Sequence, residues 1–487
     1  MLRYLVLLFA AQFFAGDMLG QELPRNGSEL HYRLIRFVVP RVVDADNYKL
    51  EVFDNFQGAD VPRDVKAIVN TTSTTNSFVA TVPAFGRGYA WKIKWLRGKK
   101  QIGSTPLYRF TVKPNPFADT SIARFRIVKN AEKYEDMFVF FDNTRSLHNM
   151  KGEPVWFLPV IQGVTDSSVG IIRDLKLTKD GTITFLSTKN IHEISYDGNI
   201  LWSGPDDGLV SGDTTENYHH QVTKLSNGHY MTIGDKMVPN SVLTGEAPAK
   251  DAATANQART ACGTVIEYDK EGKVLWTWNS CDYLKQGDAV THFNAFYFDE
   301  ARKTVYTSYR NISRVVKAAY PSGAVLALYG DDLYNTGKIQ GKGMFYSQHN
   351  VGVNKKGDMV LFNNNYQMQS ADVQMNKRSV PTVAIFREPI AIGDTLQKIW
   401  EFRTDIDTFV VPMSSGGGSV QELEEGDYLV CAGLPGRVFI VSDDKKVLWN
   451  VLVSQLEKGK WGPASVYRVS PVRKNDLEKL LPRGLSE

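Results

Sequence analysis

The chain has 487 residues, of which 23% are charged and 11% aromatic, and its formal net charge is +4. That length exceeds one ordinary compact domain of about 150 residues. The absence of a Lys/Arg-rich block with interleaved aromatics excludes a nucleic-acid surface. Nine Trp and 21 Tyr suit a β-rich chain that packs broad sheets.

In chain order, residues 1–20 read as an export signal. Arg3 is the positive residue, Tyr4 to Ala11 form a short apolar run, and Ala15, Gly16 and Gly20 are the small residues after it. The run is too short for a membrane span, which needs about 20 apolar residues, and no later stretch reads as one. Export predicts a periplasmic or secreted protein.

Residues 28–113 alternate polar and apolar side chains in short runs, at 48–53, 77–82, 89–96 and 108–112, with turn residues between them. This pattern predicts a small immunoglobulin-like β-sandwich. Lys113-Pro114-Asn115-Pro116 reads as the linker.

Residues 120–475 repeat one unit. A glycine turn followed by an apolar strand recurs at Gly181, Gly228, Gly357 and Gly426. Behind each comes a strand, a turn and an aliphatic pair ending in tryptophan, at Trp202, Trp276, Trp400 and Trp449, with a partial copy at Trp156 and a degenerate one at 323–328. Each unit holds two hairpins and cannot bury both faces alone, so neighbours must stack. Radial closure gives an all-β, six-bladed β-propeller, with the tryptophans as inter-blade core and 466–472 returning to close the ring.

Cys262 and Cys281 fall opposite each other across a hairpin centred between Glu271 and Gly272, which brings them within reach of a disulfide in an oxidising compartment. Cys431 lies in an apolar strand and reads as an inert buried thiol.

Three of the eight histidines share a register. His220 and His349 lie eight residues before their turn glycines, and His292 lies eight before Glu300 in the corresponding turn. All three start the inner strand of successive blades and converge at one mouth of the channel. The same count gives Arg173 and Gly418 in other blades, and the run Gly416-Gly417-Gly418 leaves open space there. A symmetric hairpin sets Arg310 opposite His292. Imidazoles and a guanidinium without a carboxylate suit a tetrahedral oxyanion, and a neutral histidine can serve as a nucleophile. The remaining histidines read as structural, with His219 turned by alternation to the other face.

These residues resemble the arylsulfate sulfotransferases, through Tyr218-His219-His220-Gln221, Thr291-His292-Phe293-Asn294, Ser308-Tyr309-Arg310, Gln348-His349-Asn350, 362–365 and Gly418-Ser419-Val420-Gln421. The resemblance implies that His349 is sulfurylated, that His220, His292 and Arg310 hold the sulfuryl oxygens, and that Asn294 helps bind substrate. It implies ping-pong transfer between an aryl sulfate donor and a phenolic acceptor, with no metal, cofactor or nucleotide sulfate donor. The family often has Asp where this chain has Gln221, and an amide there would only orient the imidazole before it. Two alternatives stay open: a non-catalytic propeller binding an anionic or sulfated ligand, and a lyase or hydrolase with a metal ion among the three histidines. A homodimer leaves no signature in the chain.

Overall fold

The computed structural model describes residues 22–54, 65–116, 123–188, 190–244, 259–331, 339–366, 380–391, 393–410, 416–424 and 426–482. The proposed export signal lies outside the described residues. The chain forms two compact units, residues 1–114 with 481–487, and residues 115–480.

In the first unit one sheet runs in the order Ser28–Leu30, Tyr108–Val112, Arg87–Arg97, Asn47–Asp54 and Val69–Ser73, with Lys100–Ser104 also on Arg87–Arg97. A second sheet pairs Leu34–Val38 with Ser77–Thr81. Phe37 joins the two sheets, with its ring 5.4 Å from Trp91 and 6.0 Å from Phe110. Leu50, Val52 and Ile93 are buried with it, which follows from period-two alternation on one face of each strand.

The second unit is nearly all β and holds six sheets with four-stranded meanders. We number them I to VI in the order of their first hairpins. Sheets II to VI begin at Arg173–Leu177, Tyr218–Lys224, Phe293–Asp299, His349–Val353 and Ser419–Glu422. Sheet I takes its three other strands from 138–157 and its innermost from the far end of the chain, where Val469–Val472 pairs antiparallel with Phe138–Phe141. These six innermost strands follow one another in order. Each of the first strands of sheets II to VI touches its successor, and Gln421 Nε2 in sheet VI donates to Val469 O in sheet I at 3.2 Å.

The repeated phrases have local causes. Gly181, Gly228, Gly357 and Gly426 take φ between 84 and 89° at the turn of the first hairpin, a left-handed backbone that glycine adopts at least cost. The tryptophans tie each sheet to the next. Trp156 of sheet I donates its indole N–H to Tyr196 O of sheet II, Trp276 of III to Pro321 O of IV, Trp400 of V to Asp443 O of VI, and Trp449 of VI to Met150 O of I. Trp202 of II stacks on Tyr230 of III at 3.7 Å. The boundary between IV and V has no tryptophan. There Glu388 accepts from Tyr306, Tyr329 and Lys317, at 2.7, 2.6 and 3.0 Å.

Cys262 and Cys281 form a disulfide with Cα atoms 5.6 Å apart. The ladder pair Thr264↔Asn279, continued by two residues, sets them opposite each other, although Cys281 already opens a helical turn. Cys431 is buried and free. Closing a loop of this length restricts the unfolded chain, so Cys281→Ser should lower unfolding free energy by about 2–4 kcal/mol. Denaturant titration of the variant beside the reduced and oxidised wild type checks this.

Candidate active site

The register residues sit where the first strands are bulged. One extra residue interrupts sheet II between Arg173↔Leu186 and Lys176↔Thr184, sheet IV between Phe293↔Tyr309 and Ala295↔Ser308, and sheet V between His349↔Phe362 and Val351↔Leu361. In sheet III two residues, His220 and Gln221, stand against none on the partner strand. Asp174, His220, His292 and Asn350 take positive φ values of 54, 64, 52 and 51°. Bulges bend a strand and re-aim its side chains. Such backbone strain in non-glycine residues tends to cluster at functional sites.

The bulges bring His220, His292, His349 and Arg310 around one cavity of about 390 Å³, together with Arg173 and Tyr467. His220 and His292 meet edge to face at 5.2 Å. Tyr467 stands 6.1 Å from His220 and 6.3 Å from His349, and the Arg173 guanidinium lies 4.6 Å over its ring. Arg310 N–H donates to His292 O at 3.0 Å. Gly416 and Gly417 form part of the wall; a Cβ on Gly417 would come within 3.3 Å of Tyr467. Gly418 serves differently from the open space expected of it, because it packs on Phe362, where a Cβ would come within 2.2 Å.

Among the described residues no carboxylate lines the cavity, and burial holds its imidazoles neutral. Burial lowers His292 to about 4, with Arg310 adding to the effect. It lowers His349 to about 3 against the opposing hydrogen bond from Asn364. Burial also carries His220 well below the usual histidine range, helped by His219. Burial lowers Arg310 as well, but a guanidinium stays charged in proteins.

Hydrogen bonding sets the tautomer of His349. Asn364 Nδ2 donates to Gly417 O at 3.0 Å, so its Oδ1 faces His349 Nδ1 at 2.7 Å and accepts. His349 therefore carries its proton on Nδ1 and keeps the Nε2 lone pair free of it. Asn364 was visible only as part of an asparagine run, and Tyr467 gave no signal at all.

Two expectations change. Alternation was to turn His219 away from His220, but the two-residue bulge breaks the alternation. His219 Nδ1 lies 2.5 Å from His220 Nδ1 in a hydrogen bond, while its Nε2 faces Asp235 Oδ1 at 3.4 Å. Gln221 was to orient the imidazole before it. Its amide instead donates to Phe296 O at 2.9 Å and accepts from Arg468 Nη1 at 3.2 Å. Asn294 is fully buried and is absent from the cavity lining; its Nδ2 donates to Gln348 O at 2.8 Å, next to His349. The three register histidines form no cluster of converging ligand atoms. Among the described residues, the three ligand atoms lying within 4.8 Å of one another belong to His219, Asp235 and Asp288.

Behind the cavity Arg468 binds four sheets. Its N–H donates to Asp142 Oδ2, Nη1 to Asp174 Oδ1 and Gln221 Oε1, and Nη2 to Asn294 O, all at 3.0–3.2 Å.

Neutral imidazoles beside two guanidinium groups, in an all-β unit, suit the binding of an oxyanion. The chain belongs to the arylsulfotransferase (ASST) family, whose model matches residues 111–448, and that membership indicates a sulfotransferase. No curated protein sequence matches it. Among solved structures it is similar to a Bacteroides caccae protein of unknown function, at 14% identity and TM-score 0.42, over 69% of this chain and 98% of that one. A streptogramin B lyase matches at 9% identity and TM-score 0.36, over 69% and 89%. Kluyveromyces lactis Hsv2p matches at 9% and 0.31, over 77% and 94%. Likeness at this level carries no functional argument.

An oxyanion in the cavity favours the charged imidazole and raises its pKa. Sulfate should therefore bind with proton uptake, and more tightly as pH falls from about 7 toward about 5. Calorimetry in two buffers of different ionisation enthalpy measures that uptake. Arg468→Met should cost about 3 kcal/mol, the low end for a broken buried pair, because Lys176 Nζ still holds Asp174 Oδ2 at 2.8 Å. Chemical denaturation of the variant checks it.

Proposed function

We propose that this chain transfers a sulfuryl group from an aryl sulfate to a phenol, by a ping-pong route through sulfohistidine at His349. The observation that carries the reading is the His349–Asn364 pair, which presents an unprotonated Nε2 in a cavity with Arg310 and Arg173. The Nε2 lone pair forms a bond to sulfur as the S–O bond to the aryl group breaks, and the electron pair leaves on the phenolate. The sulfurylated ring keeps its Nδ1 proton, held by Asn364, and so carries positive charge that makes it a ready leaving group for the second transfer. His292 and Arg310 hold the sulfuryl oxygens, with His220 at their side. Fixed donors of this kind stabilise charge as it develops, and a loose group-transfer transition state chiefly needs positioning.

The wider reading goes with it. The cyclic order of six sheets and the return strand Val469–Val472 support a closed six-bladed β-propeller as the catalytic domain. The two-sheet N-terminal unit supports an immunoglobulin-like sandwich before it. The Cys262–Cys281 bond supports an exported protein, periplasmic or secreted, since disulfides persist in oxidising compartments. Among the described residues no helix is long and apolar enough to cross a membrane.

The test mixes the protein with p-nitrophenyl sulfate, with and without phenol. We expect phenol-dependent nitrophenolate release, and loss of at least about 10³-fold in His349→Ala, on the scale seen when a nucleophile is removed. Mass spectrometry after donor alone should find one SO₃ group on His349. Release that is indifferent to phenol would indicate a hydrolase. Sulfate binding without release would leave a binding protein.

A further inference from the structure

The histidine pair leads away from the cavity. His219 Nδ1 shares a proton with His220 Nδ1 at 2.5 Å, and His219 Nε2 faces Asp235 Oδ1 at 3.4 Å. Among the described residues both His219 Nε2 and Asp235 Oδ1 are buried without a hydrogen-bond partner, and they face each other. Asp235 is buried, and its other oxygen is held by Asn217 Nδ2. Asp288 stands close to the same imidazole, fixed by the Phe293 N–H at 2.6 Å. Asp235 also lines a second cavity, of about 470 Å³, shared with Asp206, Asp213, Glu216 and Asn217. One side of the histidine pair thus opens on a cavity whose described lining holds no carboxylate, and the other on a cavity rich in them.

We propose that His219 and Asp235 are positioning residues that make His220 the base for the acceptor phenol and carry its proton to the acidic cavity. This rests on the transferase reading above. An ionised Asp235 accepts only, so it calls for the proton of His219 on Nε2. His219 Nδ1 must then accept from His220 Nδ1–H, which leaves His220 Nε2 with a lone pair. When the phenol oxygen attacks the sulfur of sulfohistidine, His220 Nε2 takes the phenol proton. The Nδ1 proton of His220 passes to His219 Nδ1, and the Nε2 proton of His219 passes to Asp235. The new S–O bond forms as the S–N bond to His349 breaks, and its electron pair returns to Nε2. Charge and atoms balance, with one proton delivered to the acidic cavity per acceptor consumed. The groups facing His220 are His219, His292, His349 and Arg468. Arg468 also meets a carboxylate, Asp174, but a guanidinium accepts no proton, so of the four only His219 joins an acceptor nitrogen to a carboxylate. The relay supplies the carboxylate influence that Gln221, occupied by Phe296 and Arg468, does not.

The experiment separates the half-reactions in the full chain. Nitrophenolate departs as the anion and needs no proton, so the pre-steady-state burst with p-nitrophenyl sulfate should fall less than about tenfold in His219→Gln. Turnover with weakly acidic phenols should fall about 10²- to 10⁴-fold, the span of general base catalysis. The deficit should shrink steadily for acceptors acidic enough to be ionised in the assay. Asp235→Asn, which keeps the shape and reverses the hydrogen bond, should show the same dependence on acceptor acidity if His219→Gln does not fold. A deficit equal in burst and turnover, or one independent of acceptor acidity, would overturn the relay. So would activity lost to a chelator and restored by Zn²⁺, because His219 Nε2 would then be a ligand and not a proton carrier. No burst in the unaltered protein would instead remove the transferase reading itself.

Discussion

A single buried guanidinium organises the site. Arg468 enters from the last strand of sheet I and holds groups at the starts of the first strands of sheets II, III and IV, together with Asp142. Removing a cation from water is costly, and the cost is offset only by partners in good geometry. Asp174 supplies the charge, and the Gln221 amide and Asn294 carbonyl supply the remaining acceptors. Those partners flank His220 and His292, so the contacts that satisfy Arg468 also fix how the bulged strands approach one another. Tyr467, the preceding residue, reaches the cavity because its neighbour is anchored behind it.

The bulges then turn this framework into a site. A regular ladder would send successive side chains to opposite faces. One extra residue per strand re-aims Arg173, His292 and His349, and the double insertion in sheet III presents two imidazoles in contact. Burial does the rest, keeping the rings neutral while the arginines stay charged. Neutral imidazoles and charged guanidinium groups therefore coexist at neutral pH, with no carboxylate among the described lining residues.

The repeat was the most legible feature of the chain, because its signals are local. A glycine at a left-handed turn and a tryptophan at the end of an outer strand each answer to a requirement within a few residues or at one neighbouring sheet. His220, His292, His349 and Arg310 were legible as a group, since a count from the turns survives bulges that fall at the start of the first strand in each of sheets II to V. Their partners were not. Asn364 looks like any loop asparagine, Tyr467 lies far along the chain in the returning segment, and His219 follows an alternation rule that the bulge cancels. The Gln221 amide was misjudged for a similar reason: its partners, Phe296 and Arg468, come from other sheets.

The joints between sheets differ in kind. Around most of the second unit an indole reaches across to the next sheet, by hydrogen bond or by stacking, and such contacts hardly notice the ions in solution. Between sheets IV and V the bond is a carboxylate, Glu388, gripped by two phenols and an ammonium group. Ion pairs weaken as salt screens them and fail when the carboxylate is protonated. Sheets IV and V are also the ones that carry His292, Arg310 and His349. The joint between sheets II and III has a similar grip, Glu193 held by Lys224 and Tyr230, but there an indole stack stands beside it. Among the described residues no tryptophan backs the joint between IV and V, so the seam between the strands of His349 and Arg310 answers most directly to the medium.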